Sequence, residues 1–367
     1  MDGIQSMYIH IPFCQTICTY CDFCKLQYHS KWISEYLDAL QKEMQMYYKG
    51  EKLSTIYIGG GTPNCLCDGE FERLLQIVCT VFHDKEYEYT IECNIELLTE
   101  YQISLMKKYG VNRVSLGVQT FQDKFLTFLN RHHTKKMVID KVEMLRSYGI
   151  SNINIDLMYA FPGETLADLM VDIDAILELG VPHISTYSLM IEPHTVLYHQ
   201  GISPIDEEVD EAMYKFICDK FSHYNHYEIS NFALLNFSSK HNLSYWNNAY
   251  YYGFGLGASG YIDGVRYTNT RSLTTYIGGK YRSEEHCLTK METMENEMIL
   301  GLRKLEGVSL SSFFTKYGVE LEKVFSITDL LIHKQLLISL DYIKINSKYI
   351  YISNDILIHF IGCDSNE

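Results

Sequence analysis

The chain has 367 residues, 47% of them hydrophobic, and carries 46 acidic against 31 basic side chains, a formal net charge of −15. That length can bury a large core and a smaller second one. No stretch reaches the ~18 apolar residues of a membrane helix, and the acidic balance argues against nucleic acid as main partner. No charged-then-apolar leader precedes the first strand-like run. The expected compartment is therefore the cytoplasm, where clustered cysteines point to metal and not to disulfides.

The first run, "MYIHIP" (7–12), leads straight into "FCQTICTYCDFCK", which holds Cys14, Cys18, Cys21 and Cys24 of the 11 cysteines in the chain. A helical pattern follows over Ser30–Tyr48. Strand-like "TIYIGG" (55–60) then precedes an amphipathic Glu70–Phe82, and "EYTIECN" (88–94) precedes Glu100–Tyr109. "RVSLGVQ" (113–119) leads into helical stretches ending near Tyr148, and "NINIDLMY" (152–159) into Leu166–Leu179. "HISTYSLMI" (183–191) closes the series. Nearly continuous apolar strands alternating with helices read as an α/β fold with a parallel sheet, and the six units suit a barrel or partial barrel. After residue 200 the order weakens: a charged helix (Asp206–Phe221), "HYEISNFA" (226–233) and a Gly-rich "GFGLGASGY" (253–261). The last unit has helical patterns at 295–305, 309–317 and 328–340, then strands "YIKI" and "YIYI" flanking Asn346-Ser347. Helices followed by a hairpin describe a winged-helix-like α+β module. Residues 292–367 hold 11 acids against 7 Lys and Arg, so its surface reads as a packing or protein-partner face and not a DNA reader. The expected division is 1–200, a connecting region 201–290, and 291–367.

The spacing C-x3-C-x2-C over Cys14, Cys18 and Cys21 has no matching second pair downstream, whereas structural zinc takes four closed ligands. Three thiolates instead suit an iron–sulfur cubane with one iron left open, and a fourth thiolate from Cys24 would close that position. The alternatives are a zinc loop or unliganded thiols. In parallel βα folds, reactive groups gather at the C-terminal strand ends. Gly59–Pro63 ("GGGTP") ends the second strand, where bare backbone can approach a ligand. Glu92 ends the third strand, Gln119 ends the fourth, and Asp156 lies in the fifth. Arg131 follows in "LNRHHT". A carboxylate inside an apolar strand is costly unless paired or bound. Taken singly, each of these residues has an equally good reading as a structural salt-bridge partner.

C-x3-C-x2-C with Tyr20 before the third cysteine, and GGGTP about forty residues later, resembles the radical S-adenosylmethionine (SAM) superfamily. The resemblance implies a partial (β/α)6 barrel and a [4Fe–4S] cluster whose open iron chelates the amino and carboxylate groups of SAM. Together "YIHIPFC", "GGGTP", "SLGVQTF", "NIDLMYAFPGET" and "YEISNFA" resemble, over nearly the whole chain, the oxygen-independent coproporphyrinogen III oxidase family. Carried over by position, that family's SAM contacts are Tyr8, Tyr20, Gly60, Gly61, Thr62, Glu92, Gln119, Arg131 and Asp156. By charge, Arg131 suits the SAM carboxylate, Glu92 its amino group, and Asp156 and Gln119 the ribose hydroxyls.

Two departures separate this chain from the true oxidases. They usually read C-x3-C-x2-C-x-C, but Phe23 stands at the fourth position and Cys24 comes one residue late. They also carry an N-terminal extension, whereas seven residues precede Tyr8 here. "HNLSYW" (241–246) is similar to the H-N-x-x-Y-W haem-associated motif of the HemW (haem chaperone) branch. Alone, that loop reads as a turn with Tyr245 and Trp246 as core anchors. In the family context it implies haem b held through His241 and passed to an unidentified acceptor protein. Ser239 stands where such proteins often have a cysteine, so no thiolate is available there. The rival readings are a coproporphyrinogen III dehydrogenase that decarboxylates two propionates, and a radical SAM methyltransferase or haem-degrading relative.

Overall fold

Six parallel strands, each followed by helix, form the centre of a computed structural model that describes residues 3–81 and 87–362. They are β1 (Ser6–Ile11), β2 (Thr55–Gly60), β3 (Glu88–Asn94), β4 (Arg113–Gln119), β5 (Asn152–Tyr159) and β6 (His183–Ser188). Each pairs in register with the next, in chain order. Their apolar positions are buried on both faces, as expected of a parallel sheet covered by helices. The expected helix over Glu70–Phe82 runs Asp68–Val81; Phe82, Cys363 and the last residues of the C-terminal unit lie outside the described residues.

The helices have local causes. Ser30–Tyr47 buries Ile33, Tyr36, Leu37, Leu40 and Met44, the stripe of a 3.6-residue period. Thr99 and Thr165 close capping boxes with Gln102 and Asp168, and Gly180 ends the second of these helices in the left-handed region.

Residues 201–290 do more than connect. Asn225–Glu228 (β7) and Asn231–Ala233 (β8) extend the sheet antiparallel beyond β6. Tyr251–Phe254 (β9) lies parallel to β1 on the opposite side. Ser259–Ile262 (β10), Val265–Asn269 (β11) and Arg282–Cys287 (β12) continue from β9 as an antiparallel meander. Among the described residues the sheet thus has 12 strands, with the six βα units in its middle. The buried Glu43 ties the first helix to this extension by accepting bonds from Tyr276 Oη (2.5 Å), Gly255 N (2.8 Å) and Asn269 Nδ2 (2.6 Å).

The C-terminal module has helices Lys290–Gly301, Leu310–Tyr317 and Thr328–Ile332 and a three-stranded sheet. Val308–Ser309 (β13), Leu336–Ser339 (β14) and Tyr342–Ile345 (β15) are ordered β13-β15-β14. The expected hairpin is displaced by one strand. The helix read over 328–340 stops at Ile332, because Lys334 takes a positive φ of 56° and "LLIS" pairs with "YIKI" across a Leu340-Asp341 turn. "YIYI" forms no strand and lies in turns. The segment after the first of these helices docks on β7, with Ile229 N donating to Arg303 O and Leu305 N to Tyr227 O (both 3.1 Å).

Candidate functional site

A pocket of about 630 Å³ opens at the C-terminal ends of β2–β6. Strand alternation points Tyr57 and Glu92 inward from neighbouring strands. Tyr57 Oη donates to Glu92 Oε1 (2.7 Å) and Gly60 N to Oε2 (3.0 Å). A Cβ on Gly59 would lie 2.7 Å from Glu92 Cδ, so the bare backbone is what lets this carboxylate fit. Burial pushes Glu92 up to about 7, against the opposing pull of the Tyr57 bond. Asp156 accepts a bond from Asn154 Nδ2 (2.7 Å), and burial raises it to about 6. Two half-buried carboxyls raised toward neutral pH at one pocket floor form a site for a cationic or hydroxyl-bearing ligand. Gln119 ends β4 at φ 70°, a left-handed conformation rare outside glycine, and its Oε1 has no hydrogen-bond partner among the described residues.

The cysteine loop closes over this floor. Phe13–Cys14 pairs with Leu26–Gln27 in a short parallel ladder that pins both ends of the loop. Inside it, His10 Nε2 donates to the Cys24 carbonyl (2.7 Å) while Tyr8 Oη donates to Nδ1 (2.9 Å). Burial holds that imidazole neutral, lowering it to about 4. Cys14, Cys18 and Cys21 all line the pocket; Cys24 does not, and its side chain packs against Gly257. Thr62 Oγ1 donates to Cys14 Sγ (3.6 Å) and Arg131 Nη1 to Cys18 Sγ (3.7 Å). Burial pushes the Cys14 thiol up to about 11, so loading metal there must displace a proton. Arg131 is itself buried, donating from Nη1 to Asn94 Oδ1 (2.9 Å) and from Nη2 to the Gly117 carbonyl.

The donor set fits a three-thiolate cluster with an open iron beside an amino-acid zwitterion. Three thiols stand on one wall, facing one buried cation, two carboxylates and a glycine edge. Among the described residues no three His, Cys, Asp or Glu side chains form a site for a single metal ion. Of the residues expected to contact SAM, Tyr20, Gly60, Gly61, Thr62, Glu92, Gln119, Arg131 and Asp156 line the pocket. Tyr8 does not line it; its hydroxyl is bonded to His10 Nδ1. Sequence reasoning misses Tyr57 and Asn94. The signal that could have found them is position, one alternating inward along β2 and the other two residues beyond Glu92.

His241, expected as a haem contact, has both ring nitrogens hydrogen-bonded in this arrangement. It sits near the N-terminus of a short helix, Lys240–Trp246, capped by Ser239, and is 1% exposed. Nδ1 is bonded to Thr55 Oγ1 (2.8 Å) and Nε2 to Tyr245 Oη (2.8 Å). The ring stacks on Tyr57 at 5.0 Å, and its backbone N–H donates to Glu88. Thr55 and Glu88 begin their strands, so His241 plugs the end of the barrel opposite the cysteine loop. With both nitrogens bonded, ligation of iron through either one would require breaking the hydrogen bond on that nitrogen. In this arrangement the motif makes packing contacts, and the sequence pattern alone does not separate those from a ligand role.

Comparison with known proteins gives the same outline. Residues 8–176 match the radical SAM superfamily and residues 288–351 the HemN C-terminal domain. The haem chaperone HemW of Lactococcus lactis is 41% identical over 99% of this chain and 98% of its own length. That of Bacillus subtilis is 42% identical over 88% and 89%. Coproporphyrinogen III oxidase (HemN) from Escherichia coli, described as a radical SAM enzyme, superposes with a TM-score of 0.88 at 19% identity. The match covers 98% of this chain and 91% of that one, and it establishes the fold.

Proposed function

The chain belongs to the HemW family within the radical SAM superfamily, and from that premise we propose that it is a haem chaperone that binds haem b and hands it to an acceptor protein. The observation that carries the reading is the extent of the likeness, 41% identity spanning 99% of this chain and 98% of the Lactococcus relative. Cys14, Cys18 and Cys21 would hold a [4Fe–4S] cluster. Glu92, Arg131, Asp156, Gln119 and the Gly60–Thr62 edge would hold SAM. A bound cluster supplies an open iron for SAM's amino and carboxylate groups and a source of one electron. The residues orient SAM by charge: Arg131 against the carboxylate, Glu92 against the amino group, Asp156 against hydroxyls. Tyr57 and Gly60 N keep the Glu92 carboxylate aimed. We place this work in the cytoplasm, where thiols such as the ten free cysteines among the described residues stay reduced.

Anaerobic reconstitution, followed by haem titration beside a coproporphyrinogen III turnover assay, tests the reading. The expected outcome is saturable haem binding without sustained decarboxylation. Multiple turnovers with loss of two carboxylates per porphyrinogen would make the protein a dehydrogenase instead.

A further inference from the structure

Behind the pocket, three buried polar atoms lie close together, Arg131 Nε, Glu96 Oε2 and His133 Nδ1, and none has a hydrogen-bond partner among the described residues. Arg131 uses both terminal nitrogens forward, toward Asn94, Cys18 and the Gly117 carbonyl. Its Nε points backward and has no hydrogen-bond partner among the described residues. Glu96, on the 3-10 turn Ile95–Leu97 that follows β3, places Oε1 4.0 Å from that Nε. Glu96 Oε2 lies 3.9 Å from His133 Nδ1, and both of these atoms likewise make no hydrogen bond. The three residues come from two loops, after β3 and after the helix Asp123–Leu129, so tertiary folding alone brings them together.

The imidazole cannot satisfy this set. His133 Nε2 faces the Thr120 carbonyl at 3.4 Å and Nδ1 faces the carboxylate, so both neighbours are acceptors. Burial, reinforced by the Arg131 charge, lowers His133 to about 4 and leaves it a single ring proton to share. Among the described residues, Glu96 is then the one anionic side chain within 4.0 Å of Arg131. A guanidinium buried without a counter-ion is costly, and a movement of about 1 Å would turn the 4.0 Å approach into a charge-assisted hydrogen bond.

We propose that Glu96 is a positioning residue for SAM: its carboxylate holds the back edge of the Arg131 guanidinium, so that the front edge stays aimed at the SAM carboxylate. This rests on the SAM reading above and adds a residue that touches neither SAM nor the cluster.

The test is anaerobic SAM titration by calorimetry on full-length, cluster-reconstituted protein, with cluster absorbance recorded for each sample. Glu96→Gln keeps the shape and removes the charge; it should weaken SAM about tenfold at unchanged cluster content. Glu96→Asp keeps the charge and should recover most of the affinity. Glu96→Ala, which admits water beside Nε, gives a second measure of the loss if the Gln variant fails to load a cluster. In an Arg131→Ala background, Glu96→Gln should cost nothing further, because the residue acts only through Arg131. Wild-type affinity in Glu96→Gln or Glu96→Ala, or losses that simply multiply in the double variant, would overturn the proposal. Failure of the wild-type protein itself to bind SAM would instead overturn the SAM reading on which it rests.

Discussion

Replacing Glu92 by Gln should reverse the usual cost of a buried substitution as pH rises. The carboxyl ordinarily titrates at 4.5 and is pushed to about 7 in the folded chain, chiefly by burial. Between those values the folded chain holds a proton that the unfolded chain has released. Stability therefore falls as pH climbs through that window and is level above it. At ~1.4 kcal/mol per pH unit, the fall is about 3 kcal/mol. Gln is neutral throughout and lacks this descent, so the variant should gain about 3 kcal/mol on the wild type between about pH 4.5 and 8. At the acid end it should be equal or slightly worse, because the amide NH2 cannot accept the bond from Tyr57 or Gly60 on its side, whereas the hydroxyl of the protonated carboxyl can turn to donate. Asp156, raised from 3.8 to about 6, has the same sign but is present in both chains and cancels to first order. Urea unfolding of metal-free, reduced protein at about pH 4.5, 6, 7 and 8 reads the difference directly. Parallel stability curves would refute the argument that Glu92 is buried at the expense of its charge. The N–H groups of an iron-bound SAM amine favour the ionised form, so SAM should bind the wild type more tightly at about pH 8 than at about pH 6, and Glu92→Gln should reduce that dependence.

Cys14→Ser, Cys18→Ser and Cys21→Ser should each abolish iron–sulfur absorbance, because a hydroxyl does not replace a soft thiolate, while Cys24→Ser keeps it; equal loss in all four would contradict the three-thiolate site. His241→Ala should lower stability by about 2–4 kcal/mol in denaturant melts, since it orphans the buried hydroxyls of Thr55 and Tyr245, while haem titration keeps its Soret position. A lost or shifted Soret band at unchanged stability would return the axial ligand to His241. Gly60→Ala should prevent cluster loading, as judged by iron content, because φ is 110° there and a Cβ would overlap the His10 ring that holds the Cys24 carbonyl.

The central barrel is legible because its strands are short apolar runs with reactive residues at one end. Glu92, Gln119 and Asp156 can be placed on one rim before any coordinates, and the glycines of GGGTP beside them. Less legible are β9–β12, where "VRYTN" and the exposed "RSEEHC" lack the apolar continuity of buried parallel strands. The displaced hairpin has a similar cause: "LLIS" fits a helix period as well as a strand, and only the positive φ of Lys334 and Leu340 decides between them. His241 is ambiguous for a deeper reason. A histidine beside Tyr245 and Trp246 has the composition of a haem contact, and only the tertiary partners Thr55 and Glu88 show that its ring is already occupied and its backbone anchored. Glu96 carries no sequence signal at all, since its relation to Arg131 exists only once the two loops meet.

The most direct measurement is haem transfer. The reconstituted protein, loaded with one equivalent of haem, is mixed anaerobically with a haem-free b-type haemoprotein in the presence of coproporphyrinogen III, SAM and a one-electron reductant. The account predicts that the Soret band moves to that of the acceptor, faster than from haem in buffer, while the porphyrinogen keeps its carboxylates. Haem that stays bound, or protoporphyrinogen accumulating over many turnovers, would contradict it.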